Sequence, residues 1–302
     1  MGTLMRLRDG RREVLAPRSL LGRTPLARVR LEDGCASQEH AVLEWSGGCW
    51  RVRDLGSRNG TSVNHRACGS EWHELVAGDV LRFGGEEAWR LEKDDRPPPA
   101  AIGADGALRM GRADLLVLPD DDEPMASVQW AGDGWVLDRG ERQEPVHTGD
   151  RIELAGTSWQ LLLPAGGRAL STQPDASEIL LHRLTAVFEV NRSEEHVRIV
   201  LQHRATNIVL PDRMYHFLLL VLARARVRDQ EAGVAAAEEG WVDAAVLAHE
   251  LRVSSEKLNV DIFRARRLFA EHGVVDGASV VERRTQAGQV RLGLRRIQLI
   301  RH

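Results

Sequence analysis

The chain has 302 residues, which is too long for one hydrophobic core and typical of two or three domains. Apolar residues make up 43% and charged residues 28%, a balance that excludes a disordered chain, and no apolar run reaches the roughly 20 residues that span a bilayer. The net charge is only -3, but basic residues outnumber acidic ones after residue 180, which indicates a basic C-terminal part.

Two segments are predicted to be linkers because of their composition. Residues 94–100 contain three consecutive prolines, and residues 164–177 are rich in Gly, Ser and Pro. We therefore expect a multidomain α+β chain with domains at 1–94, 101–164 and 179–302, and with a linker at 165–178. The charged N-terminal segment lacks the apolar core of a signal peptide, so we expect a cytoplasmic location.

The first domain is predicted to be an all-β sandwich. Apolar and polar residues alternate over Ala41–Trp45 and Trp50–Arg53, and Gly and Asn turns separate such stretches. We find no convincing helix pattern in this part of the chain.

Polar motifs stand between these predicted strands. Gly22-Arg23 comes first, Ser37-Gln38-Glu39-His40 follows, and residues 54–61 read Asp-Leu-Gly-Ser-Arg-Asn-Gly-Thr, with Asn64 shortly after. In residue type, order and spacing these motifs resemble the forkhead-associated (FHA) domain, a β-sandwich that binds phosphothreonine peptides. Arginine and short polar side chains suit this task because they hold a dianionic phosphate by charge-assisted hydrogen bonds.

The resemblance implies a role for each motif residue. Arg23 and Ser37 would contact the phosphate, Arg58 or Ser57 would add a contact from a second loop, and Asn59 would bind the peptide backbone. Gln38 stands where the family often has a basic residue, so one supporting charge is missing. The residues implied to support the site are Gly22, His40, which would brace the Ser37 loop, Gly60, Thr61 and Asn64.

Each motif also has a plainer interpretation. Asn59-Gly60 is the commonest two-residue hairpin turn, Arg23 alone would be surface charge, and His40 alone would be a core histidine. The combination favours phosphothreonine binding, and a domain that keeps the motif but binds unmodified protein is the alternative.

The second domain, 101–164, is predicted to be a degenerate second copy of the first. Gly111-Arg112 repeats Gly22-Arg23, the Trp130–Trp135 spacing repeats that of Trp45 and Trp50, and Gly149-Asp150 repeats Gly78-Asp79. Asp122 aligns with Ser37, Met125 aligns with His40, and the segment equivalent to 57–64 is absent. Since an acid would repel phosphate, we expect a β-sandwich with a structural or protein-binding role.

The third domain is predicted to begin with strands and to continue with helices. Val197–Leu201 alternates as a strand, and helices are expected at 211–226, 243–251 and 255–272, the last with Ser254 as its N-cap. A hairpin at 280–292 follows. This order of elements resembles the α/β winged helix-turn-helix domain of response regulators, which implies that the helix at 255–272 is a DNA recognition helix.

Basic residues mark the surface that the winged-helix resemblance would assign to DNA. We predict that this surface contacts DNA phosphates through Lys257, Arg264, Arg267, Arg283, Arg284 and Arg291. Asp261 and Glu271 oppose this charge, and winged helices also serve as protein-binding modules. A solvated basic face is the plain interpretation.

These features predict a regulator that couples Ser/Thr kinase signalling to transcription. It would bind a phosphothreonine-containing protein, a Ser/Thr kinase or its substrate, and double-stranded DNA. The alternative is a phospho-dependent adaptor that does not bind DNA. Phosphate-cradling and nucleophile motifs are missing, and the cysteines have no C-x-x-C spacing, so we expect no enzyme activity, no cofactor and no metal.

Overall fold

The computed structural model describes residues 1–120, 122–165, 178–192 and 195–301. It divides into two compact units, the first formed by residues 1–110 and 147–169, and the second by residues 111–146 and 170–302. The predicted second domain, 101–164, therefore contributes strands to both units. The predicted linker at 165–178 lies outside the described residues except at its two ends. No described helix is long and apolar enough to cross a membrane.

The regular elements of the described chain up to residue 162 are all strands. The N-terminal strands are β1 (Thr3–Arg6), β2 (Arg12–Val14), β3 (Arg18–Gly22), β4 (Val29–Arg30), β5 (Ala41–Ser46), β6 (Cys49–Asp54), β7 (Thr61–Val63), β8 (Arg66–Cys68), β9 (His73–Leu75), β10 (Val80–Phe83) and β11 (Ala88–Lys93). The next strands are β12 (Ala100–Gly103), β13 (Leu108–Met110), β14 (Leu115–Leu118), β15 (Ala126–Trp130), β16 (Trp135–Asp138), β17 (Gln143–Val146), β18 (Arg151–Leu154) and β19 (Thr157–Leu162).

The C-terminal part combines strands and helices. Its elements are β20 (Thr185–Val190), β21 (Val197–His203), β22 (Thr206–Val209), α1 (His216–Glu231), β23 (Val242–Asp243), α2 (Ala244–Glu250), α3 (Ser255–Glu271), β24 (Val281–Arg284), β25 (Gln289–Leu292) and β26 (Arg296–Arg301). Short 3-10 helices lie at Leu181–Arg183, Gly277–Val280 and Thr285–Ala287.

The first unit contains two sheets from its N-terminal strands. One has the order β2-β1-β11-β10-β7-β8 and the other the order β4-β3-β5-β6-β9. Alternate residues point inward, so that β6 shows strict alternation of buried and half-buried side chains. Trp50 and Trp89 are completely buried in this core. The predicted β-only character of this part is confirmed, and the loops at the strand ends carry the polar motifs.

A third sheet of the first unit has the order β13-β12-β19-β18. Its residues Ala100 and Leu162 share a small buried cluster with Ala16. The remaining strands of the predicted second domain, β14 to β17, form a separate four-stranded meander in the second unit.

The second unit has its largest core between the sheet β22-β21-β20-β26 and the three helices. Asp243 caps α2 by accepting from the amides of Ala245 and Val246, and the Ser254 hydroxyl caps α3 by accepting from the Lys257 amide at 3.2 Å. The predicted helices α2 and α3 and the hairpin β24–β25 are confirmed. Helix α1 starts at His216 and not near Pro211, because a separate turn, closed by the His216 amide and the Arg213 carbonyl, precedes it.

Candidate functional site

The predicted phosphate-binding residues lie on three loops at one end of the first unit, between β3 and β4, β4 and β5, and β6 and β7. Gly22 brings the first two loops together. The amides of Arg23 and Thr24 donate to the carbonyls of Ser37 and Gln38, both at 3.1 Å. A Cβ at Gly22 would lie 2.0 Å from the Gln38 carbonyl oxygen, so only glycine permits this approach.

His40 joins the second loop to the third. Its ring is fully buried, Nδ1 accepts from the Ser37 amide at 2.9 Å, and the Gly60 carbonyl lies 3.1 Å from Nε2, which therefore carries the proton. Burial lowers the pKa of His40 below its usual range, against the opposing effects of the Gly60 carbonyl and Asp54. The neutral imidazole thus holds the amide side of Ser37 in place.

The Ser37 hydroxyl is held from the other side by the third loop. Its oxygen accepts from the Arg58 backbone amide at 3.1 Å, and the side chain is half-buried. Since a hydroxyl accepts and donates, this arrangement leaves the hydroxyl proton available for an incoming oxygen. Ser37 is therefore positioned as a donor by His40 and by the loop that contains Arg58.

Asp54 organises the third loop. One carboxylate oxygen accepts from the amides of Gly56 and Ser57, both at 2.8 Å, and the other accepts from the hydroxyls of Ser57 and Thr61, both at 2.6 Å. Although burial raises the pKa of Asp54, the bonds from Ser57 and Thr61 outweigh it and keep the pKa below its usual range. Of the two predicted second-loop contacts, the Ser57 hydroxyl thus donates to Asp54, whereas the Arg58 side chain is exposed.

Asn59 is oriented by the backbone of the second loop. Its Nδ2 donates to the Cys35 carbonyl at 2.8 Å, which leaves Oδ1 as the acceptor of the amide group. Gly60 has a φ of 76° and completes the turn. Gly84 packs closely against this loop, since a Cβ there would be 2.5 Å from the Cys35 carbonyl oxygen and 3.1 Å from the Asn59 Cβ.

The two arginines provide the positive charge of the site. Both Arg23 and Arg58 are exposed, and Arg23 Nε donates to the Ala36 carbonyl at 2.6 Å. Among the residues that the structure describes, neither arginine forms an ion pair with an acidic side chain. The four predicted binding groups, on Arg23, Ser37, Arg58 and Asn59, therefore converge with two uncompensated charges.

Asn64 lies outside this convergence. It adopts a φ of 49°, its Nδ2 donates to Asp79 at 2.7 Å, and its Oδ1 accepts from the Val80 amide at 2.9 Å. It holds the turn between β7 and β8 against β10, which is the supporting role that the resemblance implied.

Sequence reasoning named no role for Asp54 or Gly84. A signal for Asp54 was present, because an aspartate followed two residues later by Gly and then Ser is typical of a side chain that caps its own loop. Gly84 gave no local signal, since its need for glycine comes from Cys35 in a distant part of the sequence.

The predicted DNA-binding residues of the second unit are spread over α3 and the hairpin, and most have acidic partners. Lys257 pairs with Asp261. Arg267 pairs with Glu271 at 2.8 Å, and Arg264 donates to the Asp122 carbonyl at 2.5 Å. These three residues thus make intramolecular contacts along α3.

The hairpin arginines are also engaged. Arg284 forms two bonds to Glu238, at 2.7 and 2.8 Å, and Arg291 pairs with Glu282 at 2.6 Å. Both guanidinium groups stack over Trp241, at 4.2 and 4.4 Å from the ring centroid.

Arg283 departs most from its predicted position on the surface. Its side chain is 5% exposed, its Nε lies 3.3 Å from the Asp138 carboxylate, and its Nη2 donates to Asn259 at 2.7 Å. Burial lowers the pKa of Arg283 to about 10, although Asp138 opposes this shift. In this structure Arg283 belongs to the interior, because a carboxylate from β16 neutralises it there.

Residues 20–84 match the FHA domain model, which confirms the predicted FHA domain near the N-terminus. FHA domain-containing protein FhaA of Mycobacterium tuberculosis is 39% identical over 69 residues, or 23% of this chain and 13% of FhaA. The chain thus matches only a small part of the length of this relative.

Two solved structures also resemble the chain. The FhaA FHA domain complexed with the intracellular domain of Rv3910 is 30% identical, with a TM-score of 0.27, over 30% of this chain and 98% of that chain. Mycobacterium tuberculosis EmbR in complex with a low-affinity phosphopeptide is 25% identical, with a TM-score of 0.28, over 30% of this chain and 24% of that chain. Each match covers less than a third of this chain, so the rest is interpreted from its own residues.

Proposed function

We propose that the FHA domain binds a phosphothreonine-containing segment of a partner protein. The observation that carries this proposal is the Ser37 hydroxyl, which is held between the Arg58 amide and the His40-braced loop with its proton free to donate. Arg23 and Arg58 add charge-assisted hydrogen bonds to the phosphate, and Asn59 Oδ1 accepts from the peptide backbone.

The experiment is a fluorescence anisotropy titration of the full chain with a degenerate phosphothreonine peptide library and its unphosphorylated twin. Arg23→Ala and Ser37→Ala should each weaken binding to the phosphorylated library by about tenfold or more, since each removes a bond to a charged group. Arg18→Ala is the matched control, because Arg18 begins β3, the strand that leads to Arg23, and pairs with Glu44 away from the loops.

Equal binding of the phosphorylated and unphosphorylated libraries would reject the proposal. Phosphate-dependent binding that Arg23→Ala leaves unchanged would place the site elsewhere on the chain.

The repeat in residues 101–164 supports a second, degenerate FHA-like copy as part of this proposal. The Trp130–Trp135 pair stands directly opposite across β15 and β16, as Trp45 and Trp50 do across β5 and β6, with ring centroids 5.5 and 5.6 Å apart. The turn at Gly149-Asp150 repeats the hydrogen bonds of the turn at Gly78-Asp79, including the aspartate that accepts from the amide three residues earlier.

For residues 179–302 we propose a winged helix-turn-helix domain that binds duplex DNA, so that a cytoplasmic, non-enzymatic regulator links a Ser/Thr kinase or its substrate to transcription. The order α1, α2, α3 and hairpin, with capped α2 and α3, supports this proposal. The test is a salt series with a mixed-sequence duplex, in which affinity should fall steeply as salt rises.

One observation favours the second candidate, an adaptor that does not bind DNA. The six predicted DNA-binding residues all contact acidic side chains or carbonyls within the chain, so they offer less free charge than the sequence implies. A duplex affinity that is absent even at low salt would select the adaptor.

A further inference from the structure

A buried ion pair attaches the sheet β14–β17 to α3 within the second unit. The Asp138 carboxylate, fully buried at the end of β16, accepts from Arg266 Nη1 at 2.7 Å. Arg283 Nε is 3.3 Å from the same oxygen, and Arg266 also donates to the Val281 carbonyl at 2.8 Å. Asp138 therefore joins β16 to both α3 and β24.

Apolar packing and a close approach extend this contact along α3. Leu115 of β14 lies in one buried cluster with Ala270 of α3 and with Ala278. Gly140, which follows β16, has a φ of 92°, and a Cβ there would be 2.2 Å from the Asn259 amide nitrogen. The sheet thus contacts α3 from Asn259 to Ala270.

The loop between β14 and β15 reaches the cationic side of α3. The Asp122 carbonyl accepts from Arg264, and Asp122 borders a cleft of about 340 Å³ that is also lined by Arg213, Tyr215 and Arg267. Asp120 fixes this loop by accepting from the amides of Asp122 and Glu123. Asp122 is the residue that aligns with Ser37, so the loop that corresponds to a phosphate-binding loop meets arginines here.

These contacts leave little of α3 exposed after its first turn, in which residues 255–257 remain exposed. From Asp261 to Ala270 every residue is buried except Arg264 and Arg267, which are half-buried. A helix with its side chains is roughly 10–12 Å wide, and the major groove of DNA is roughly 12 Å wide. Because the core covers it on one side and the sheet on another, the segment of α3 from Asp261 to Ala270 cannot enter that groove.

We infer that the sheet β14–β17 covers the surface of α3 that would contact DNA. The sheet and a nucleic acid duplex therefore cannot bind α3 at the same time. The inference rests on the proposed winged-helix function. The loop that contains Asp120, Asp122 and Glu123 brings acidic residues to α3, where the Asp122 carbonyl accepts from Arg264. The intact chain thus binds a duplex weakly, and displacement of the sheet exposes α3 and strengthens the binding.

The first experiment compares Asp138→Asn with the wild-type chain, by anisotropy of a fluorescein-labelled mixed-sequence duplex at low salt. The variant leaves Arg266 and Arg283 buried without their carboxylate, which favours release of the sheet, and duplex affinity should rise by about tenfold or more. Asp133→Asn is the control, since it removes the same charge from an exposed turn of the same sheet and should bind like wild type.

A second variant tests the contact by locking it closed. Leu115→Cys with Ala270→Cys places a cysteine pair across the buried contact between β14 and α3. The oxidised protein should bind the duplex no better than wild type even when Asp138→Asn is also present, and reduction should restore the tighter binding of Asp138→Asn.

A third measurement is independent of DNA: modification of Arg266 by phenylglyoxal, mapped by mass spectrometry. Arg266 is 1% exposed, so it should be protected in wild type and Asp133→Asn, and modified in Asp138→Asn. Equal modification in all three proteins, or equal duplex affinity with and without the cross-link, overturns the inference. If no protein binds the duplex but the protection pattern holds, the proposed DNA binding fails and the occlusion of α3 stands.

Discussion

The FHA loops and the α3–hairpin surface both present arginines, but the chain treats their charges differently. In the FHA loops His40, backbone groups and the Asp54 carboxylate hold the backbone, and Arg23 and Arg58 have no acidic partner among the described residues. In the second unit, Asp138, Glu238 and Glu282 pair with the predicted DNA-binding arginines Arg283, Arg284 and Arg291. Under the proposed functions, the free charge of the first region suits a site that binds an anion directly, and the paired charge of the second suits a surface whose binding must first be released.

The strongest test of this comparison is a substitution at Gly22, for which we expect the largest effect. Gly22→Ala puts a Cβ against the Gln38 carbonyl, which must move and take Ser37 with it. We expect phosphopeptide affinity to fall by about tenfold or more and the free energy of unfolding to fall by about 1–3 kcal/mol. Anisotropy titration and thermal unfolding measure the two effects.

Gly34→Ala is the control for Gly22→Ala. Gly34 is exposed on the loop between β4 and β5, and a Cβ there meets no atom within 4 Å. This variant should keep wild-type affinity. Equal affinity of the two variants would show that the approach of the first two loops does not determine the site.

The next effect concerns Asp54, the buried carboxylate around which the third FHA loop is organised. Each carboxylate oxygen of Asp54 accepts two bonds, so Asp54→Asn places an amide donor either against the Ser57 and Thr61 hydroxyls or against the two backbone amides. We expect the free energy of unfolding to fall by about 1–3 kcal/mol and phosphopeptide affinity to fall with it.

A double-mutant cycle with Ser57→Ala separates the two possible roles of Ser57. If Ser57 acts through Asp54, the effects of the two substitutions on affinity overlap and the double variant is little worse than Asp54→Asn. Additive losses would mean that Ser57 contacts the phosphate directly.

The FHA loops and the second unit also differ in how well the sequence predicts them. The FHA domain, the N-cap Ser254 and the hairpin were predictable because short motifs and periodic patterns encode them locally. The burial of Arg283 was not predictable, because it depends on Asp138, which lies far away in the sequence and in what was expected to be a different domain. Charge alone marks a residue as basic, but only its partners decide whether that charge is free.

A smaller effect is the pH dependence of the FHA loops. Burial lowers the pKa of His40 in the folded domain. Below a pH of about 6.5, the usual pKa of histidine, His40 is therefore protonated in the unfolded chain but still neutral in the folded domain. The stability that His40 contributes is therefore full above about pH 6.5 and is lost as pH falls through the folded pKa.

Hydrogen exchange of residues 37–46 between pH 5 and 8 measures this local stability, after correction for the intrinsic exchange rate. Exchange should accelerate toward pH 5 in wild type and change less with pH in His40→Gln, which has no titrating ring. The local readout is required because His216, in the second unit, is also buried with a lowered pKa. An identical pH profile in the two proteins would show that His40 does not control these loops.

The smallest expected effect tests whether the hairpin charges are held back from DNA. Glu238→Gln, made in the Asp138→Asn chain, removes the carboxylate that binds Arg284, while Arg284 keeps the Ala237 carbonyl and the Trp241 face. Duplex affinity should rise by less than about threefold, since an exposed ion pair is weak, and its salt dependence should steepen by about one phosphate contact. Glu250→Gln, an equal charge change on exposed α2, should not steepen it. An unchanged salt dependence in Glu238→Gln would mean that Arg284 serves only to hold the segment before β23, and the comparison would then favour a protein partner for the hairpin.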